Sequence, residues 1–320
     1  MSRYALLTVD TEALPKRAEC DHVQRLIWGH HEEGTAGIRE IRAIGAEFGV
    51  PHVFFVDMCA TTRYPEEMRA VVRWLDMNGQ DVQLHLHPET LPREFWSAHG
   101  LAATPTYINE YPAPDKALFL LKHFGAELTG ITGKRVLACR AGSLRWNADF
   151  IRALRAAEIP LSFNNSMRAY MTGRATYAEP TNQPYTWSNG VIEVPVTERH
   201  IPPGTGRRER WVSLTYPESS YFPFKTRRFA GLPRLFARGP SFAVLLMHSW
   251  SFLYWNDKRR AVYQDDRRLE AYRALVARVS ADYDVITSAD FLDLYRRGRI
   301  KRSAHMDLRV AEMWGDSNRA

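Results

Sequence analysis

Apolar and polar residues follow two periods along this chain, and they alternate in order. Short apolar runs predict strands at Ala5 to Val9, Pro51 to Asp57, Leu161 to Phe163, Val191 to Val196 and Phe242 to Met247. The run from Pro51 to Asp57 is apolar on both faces, as in a sheet covered on both sides. Ile38, Ile41, Ile44 and Phe48 recur at helical spacing, and Gly49 follows them. Pro65 opens a second helix that runs to Met77, with Gly79 beyond its end. Further helices are predicted over Asp115 to Leu128, Asn147 to Ala157 and within Arg260 to Ala281. Arg135 to Cys139 and Asp284 to Thr287 complete the strands, and Ser288 is the expected cap of an Ala289 to Arg296 helix.

One strand stands out. In Val82-Gln83-Leu84-His85-Leu86-His87-Pro88, apolar and polar residues alternate strictly. This period places both imidazoles on one face, about 7 Å apart along the strand, and Pro88 ends it. Two convergent imidazoles at a strand end are half of a metal site, and Glu89 is positioned as a further ligand or as a partner to a histidine.

The alternation of strands and helices predicts an α/β fold, a distorted (β/α) barrel of about seven parallel strands. We expect one catalytic domain over residues 1–300, with an irregular basic excursion at 202–240 and a polar tail at 301–320. With 320 residues, 45% of them hydrophobic, the chain can bury a large core. Cys20, Cys59 and Cys139 are too few and too scattered for a disulfide framework or a cysteine zinc site. The N-terminal apolar run is broken by Asp10, and no apolar run is long enough for a bilayer, so a cytoplasmic location is expected. The net charge of +7 gathers late, around Arg207, Arg208, Arg210, Arg227 and Arg228. Such a surface suits a phosphate-bearing substrate or peripheral contact with an anionic membrane. Nucleic acid is the least favoured partner, because no helix-turn-helix, zinc-finger or RNA-recognition signature is present.

Barrel chemistry sits at the C-terminal ends of strands. There the sequence places Asp10 and Glu12, His85 and His87, Arg140 followed by Ser143, Asn164 and Asn165, and His248. His30 and His31 fall outside this rim and read as a solvated loop. Two histidines and a carboxylate form an open three-ligand metal site. A second carboxylate can serve as general base, a remote histidine as general acid, and Arg140 can orient a carboxylate. That set suits metal-assisted amide hydrolysis. The cation is expected to be zinc, with nickel, cobalt or iron as alternatives. Trp250 is a candidate for stacking on a substrate ring, with core or lid packing as the equal alternative, and Ser143 and Asn164 are further candidate substrate contacts. His248, on a different strand from His85 and His87, is expected across the substrate from the base. Arg140 as a plain structural ion pair, and His248 as a packed rim histidine, are the competing readings.

Four stretches in order, Thr8-Val9-Asp10-Thr11-Glu12, His85-Leu86-His87-Pro88, Arg140-Ala141-Gly142-Ser143 and Leu245-Leu246-Met247-His248, resemble the polysaccharide deacetylase family, the NodB-homology carbohydrate esterases. The resemblance spans residues 4 to 295 and is nearest to the branch found in lipopolysaccharide and O-antigen biosynthesis. It implies a distorted (β/α) barrel that removes N-acetyl groups from amino sugars. It implies Asp10 as base, Glu12 with His85 and His87 as metal ligands, Arg140 as the family arginine and His248 as acid. Two features depart from the family. Thr11 separates the acidic pair, which leaves the Asp10 and Glu12 roles exchangeable, and the histidines stand two apart where most of the family spaces them by four. The expected activity is N-deacetylation of a nucleotide- or lipid-linked amino sugar. The alternative is a non-catalytic carbohydrate-binding or scaffold relative, which the histidine spacing favours.

Overall fold

The computed structural model describes residues 2–204, 208–218 and 240–312. Its centre is a curled sheet of nine strands: β1 (Tyr4–Thr11), β2 (Val53–Asp57), β3 (Asp81–Leu86), β4 (Ala138–Ala141), β5 (Leu161–Ser162), β6 (Tyr185–Thr186), β7 (Ile192–Glu193), β8 (Phe242–His248) and β9 (Asp284–Val285). The order across the sheet is β8-β1-β2-β3-β4-β5-β7-β6, and β9 pairs with the start of β1. All pairs are parallel except β6 with β7. The expected barrel is therefore a half-barrel. Isolated hydrogen bonds reach β8 across its open side, from Thr197 N to Val244 O and from Leu246 N to Leu214 O.

Helices α1 (Ile38–Glu47), α2 (Pro65–Met77), α3 (Pro114–Thr132), α4 (Ala148–Ala156), α5 (Arg267–Asp282) and α6 (Ser288–Arg296) accompany the sheet. The period of two along the strands sorts their residues between two cores. Ala5, Leu7 and Val9 of β1, Phe54 and Val56 of β2, Leu84 and Leu86 of β3, and Leu245 and Met247 of β8 pack in the cluster that also holds the buried faces of α1 to α5. Leu6, Val53, Phe55, Ala138, Phe242 and Val244 form the inner cluster, with Phe291, Leu292 and Tyr295 of α6 among them. Each such burial contributes roughly 1.5–3 kcal/mol. Toward the C-terminal strand ends the same inner face turns polar, at Asp10, Asp57, His85, His87, Arg140 and His248.

Several expected boundaries shift, for identifiable reasons. The fourth strand starts at Ala138, not Arg135, because the Gln83 side chain accepts the N–H groups of Leu137 and Ala138 ahead of the ladder. The sixth expected strand, Val191 to Val196, is a regular strand only over Ile192–Glu193. Helix α6 is capped by Thr287, whose side chain accepts from Asp290 N, and not by Ser288. His30–His31 is no loop: it pairs with Gly34–Thr35, and the His31 ring stacks on Tyr263 at 3.7 Å. In the basic excursion, Arg210–Ser213 pairs with Glu198–Ile201. Arg207, Arg227 and Arg228 lie outside the described residues. Of the stretch read as a polar tail, Leu308 and Ala311 are buried. No helix among the described residues is long and apolar enough to cross a membrane.

Candidate metal centre and active site

The register of the parallel strands assembles the site. Asp10 pairs with His248 on one side and Phe55 on the other, Asp57 pairs with His85, and His85 pairs with Arg140. Glu12 follows β1, and its Oε1 lies 2.8 Å from His85 Nε2 and 2.9 Å from His87 Nε2. All three side chains are buried. The spacing of two between the histidines is therefore compatible with convergence on one point.

The other nitrogen of each ring is committed. His85 Nδ1 stands 2.7 Å from the Arg140 carbonyl oxygen, and His87 Nδ1 stands 2.7 Å from Glu89 Oε1. Both partners are acceptors, so each Nδ1 must donate its proton. That leaves two Nε2 lone pairs and a carboxylate oxygen facing one another. Neutral imidazoles would repel the carboxylate in this arrangement. Protons on both rings, or a cation between the three atoms, would satisfy it. Burial would lower His87, but Glu12 and Glu89 outweigh burial and raise its pKa well above the imidazole range. Burial would raise Glu12, but His87 and then His85 hold its carboxyl well below the usual range. Both directions mark a place that demands positive charge. The donor set fits a divalent metal with nitrogen and oxygen ligands, and the Nδ1 partners are of the kind that orient metal-bound imidazoles.

Arg140 is fully buried. Its Nη1 donates to Asp10 Oδ1 at 2.6 Å and its Nη2 to Thr8 Oγ1 at 3.0 Å, and the guanidinium lies over the Phe55 ring at 4.3 Å. Asp10 Oδ2 has no partner among the described residues. The half-buried His248 ring stacks on Trp250, with centroids 4.9 Å apart. One ligand atom each from Asp10, Glu12 and His248 lies within 4.8 Å of the others. His248 is thus beside Asp10, not across the site from it, because β1 and β8 are neighbours in register.

These groups open on a cavity of about 350 Å³ lined by Asp10, Glu12, His87, Ser143, His248 and Trp250. Asn164, expected at the substrate, is absent from this lining. It is fully buried, its Oδ1 accepts from Ala141 N at 2.7 Å, and its amide donates to Ser162. It braces the ends of β4 and β5. Glu89 is a partner to His87 and falls outside the converging ligand group.

Two residues that hold the site escaped the sequence reading. Asp57, at the end of β2, accepts from the backbone of both His87 and Cys59 at 3.1 Å, which fixes the turn that carries His87. Burial raises its pKa. Its strand-end position was the available signal. Gly142 lies under the His87 ring, and a Cβ there would stand 2.5 Å from Nδ1. Nothing local in the sequence reports that approach. Next to it, Ser143 and Leu144 adopt φ of 55° and 54°, a left-handed pair at the cavity wall.

No protein-family model matches the sequence, and no curated protein matches it. Solved structures do. A Mycobacterium smegmatis protein assigned as a polysaccharide deacetylase is 16% identical with a TM-score of 0.54, over 94% of this chain and 92% of the other. The 4-alpha-glucanotransferase of Thermococcus litoralis is 13% identical with a TM-score of 0.53, over 92% of this chain and 40% of the other. At these identities the likeness is one of fold, and that fold is the NodB-like half-barrel of the polysaccharide deacetylases.

Proposed function

We propose that this protein is a metal-dependent N-deacetylase of an N-acetylated amino sugar, a hydrolase of non-peptide C–N bonds. The observation that carries the reading is the joint opening of the Glu12–His85–His87 cluster, the Arg140-held Asp10 and His248 on one cavity. Glu12, His85 and His87 would hold one divalent ion, with zinc as first choice for such ligands. When bound, that ion lowers the pKa of water and polarises the amide carbonyl. Arg140 holds Asp10 by one oxygen, so that its other oxygen can take the water proton. His248 delivers a proton to the amine as the C–N bond breaks. Ser143 and Trp250 contact the sugar.

We further read the substrate as a nucleotide- or lipid-linked intermediate of surface-polysaccharide assembly, such as lipopolysaccharide or O-antigen, met in the cytoplasm or at an anionic membrane face. The non-catalytic alternative loses its main support, since histidines two apart do converge on one oxygen.

The test pairs metal content with acetate release from N-acetylated amino sugars and their nucleotide-linked forms. The wild-type chain is expected to carry one divalent ion and to release acetate. His85→Ala with His87→Ala should lose the ion while keeping the far-UV spectrum. A double variant that retains its metal sinks the ligand assignment. Metal-loaded protein inert on every substrate sinks the enzyme reading.

A further inference from the structure

The cavity mouth carries more positive charge than the chemistry at its floor uses. Arg17, Arg168 and Arg174 line it, all exposed toward solvent. The acids of the same lining are committed. Asp10 is held by Arg140, Glu12 by the two histidines, and Glu218 sits on Arg168 at 3.4 Å. Arg17 and Arg174 have no carboxylate partner among the described residues. Arg17 instead lies over the Trp255 ring at 4.9 Å.

The fold keeps these charges close. A parallel bridge joins Trp146 to Ala175, and Thr176 N donates to Trp146 O, which sets Arg145 opposite Arg174 on neighbouring segments. Arg145 is itself held over the Tyr107 ring at 4.0 Å. Arg168 belongs to the Met167–Met171 turn, which Glu198 anchors through Ser166 and Met167 N. Partial desolvation, and then the charges of Arg145 and Arg168, pull the Arg174 guanidinium below its usual range. Like charges fixed this way destabilise the free protein and favour an anion between them. Guanidinium groups suit oxyanions, which they grip by paired hydrogen bonds.

We propose that Arg168 and Arg174, with Arg17 across the mouth, form a subsite for an oxyanion borne by the substrate, so that the sugar presented to the metal centre carries a phosphate or a carboxylate away from its acylated nitrogen. The inference rests on the deacetylase reading for the identity of the sugar, but the subsite is tested by binding alone. Titration calorimetry on the metal-loaded full chain would compare N-acetylglucosamine, its 1-phosphate, UDP-N-acetylglucosamine and the corresponding uronic acid. Anionic ligands are expected to bind at least tenfold tighter than the neutral sugar, with the advantage shrinking as salt rises. Preference for the phosphates alone assigns phosphate, and preference for the uronate alone assigns carboxylate. Arg168→Gln with Arg174→Gln should erase the preference, and Arg174→Lys should restore part of it. Glu218→Gln removes the competing acid and should tighten anion binding, a gain that a misfolded variant would not produce. Equal affinity for neutral and anionic ligands overturns the subsite, as does a preference that survives the double variant. If anions bind as expected and no acetate is released, the deacetylase reading fails while the subsite stands.

Discussion

His248 shows how much a single residue's role depends on its neighbours. A half-buried ring stacked on Trp250 is held in orientation, and an imidazole suits proton delivery near neutral pH. Its closeness to Asp10 and Glu12 also makes it geometrically able to act as a ligand. His248→Ala separates these roles. As general acid it is worth about 10²–10⁴-fold in kcat, and metal content should be unchanged. Loss of metal together with activity would make it a ligand. Gly142 acts at the same scale by what it lacks. A Cβ at 2.5 Å from His87 Nδ1 must push the ring away from Glu89 and Glu12. Gly142→Ala is expected to weaken metal binding by roughly 10–100-fold, the usual cost of disturbing a ligand's supporting contacts. Metal titration checks it, and an affinity equal to wild type would show that the ring has room.

Among the elements, α6 starts at Ser288, one residue before the expected Ala289. Thr287 bonds Asp290 N, and Asp290 Oδ2 accepts from Thr287 N, a reciprocal cap. Ser288, the expected cap, leaves its Oγ buried without a partner among the described residues. Thr287→Ala should therefore cost about 1 kcal/mol of stability, while Ser288→Ala should cost nothing or stabilise slightly. Denaturant titration of the two variants decides it, and the reverse order would return the cap to Ser288. Strand β4 carries the same lesson. A long-range acceptor, Gln83, takes the N–H groups that local pattern assigned to the ladder.

Across the whole molecule, His52 couples folding to pH. It is fully buried at the start of β2, its Nε2 shares a hydrogen bond with Tyr272 at 2.7 Å, and its Nδ1 has no partner among the described residues. Burial lowers its pKa to about 3. The folded state holds the ring neutral, and the unfolded state takes up a proton below its ordinary pKa of about 6.5. Its contribution is thus fully present above pH 6.5 and is lost as pH falls toward 3, on the order of 5 kcal/mol in total. His52→Gln, which removes the titration, should flatten stability against pH over that window. An unchanged slope would show that other groups drive acid unfolding.

The eight parallel strands and the long helices were legible in the sequence because each rests on a local period. So was the gathering of Asp10, Glu12, His85, His87, Arg140 and His248 at one rim, since a parallel sheet brings the C-terminal ends of its strands together. What the sequence could not decide depends on register and on contacts between distant segments. Among the described residues no ladder joins β7 to β8, and the barrel stays half-open. β1 lies beside β8, which sets His248 next to Asp10. Asn164 turns inward to brace two strands, and Gly142 makes way for a ring 55 positions earlier in the chain. Arg145 comes to lie beside the mouth arginine Arg174 through the bridge from Trp146 to Ala175. Periodicity says which face a side chain takes. Only the packed chain decides which other side chains share that space, because those contacts join residues that no local pattern connects.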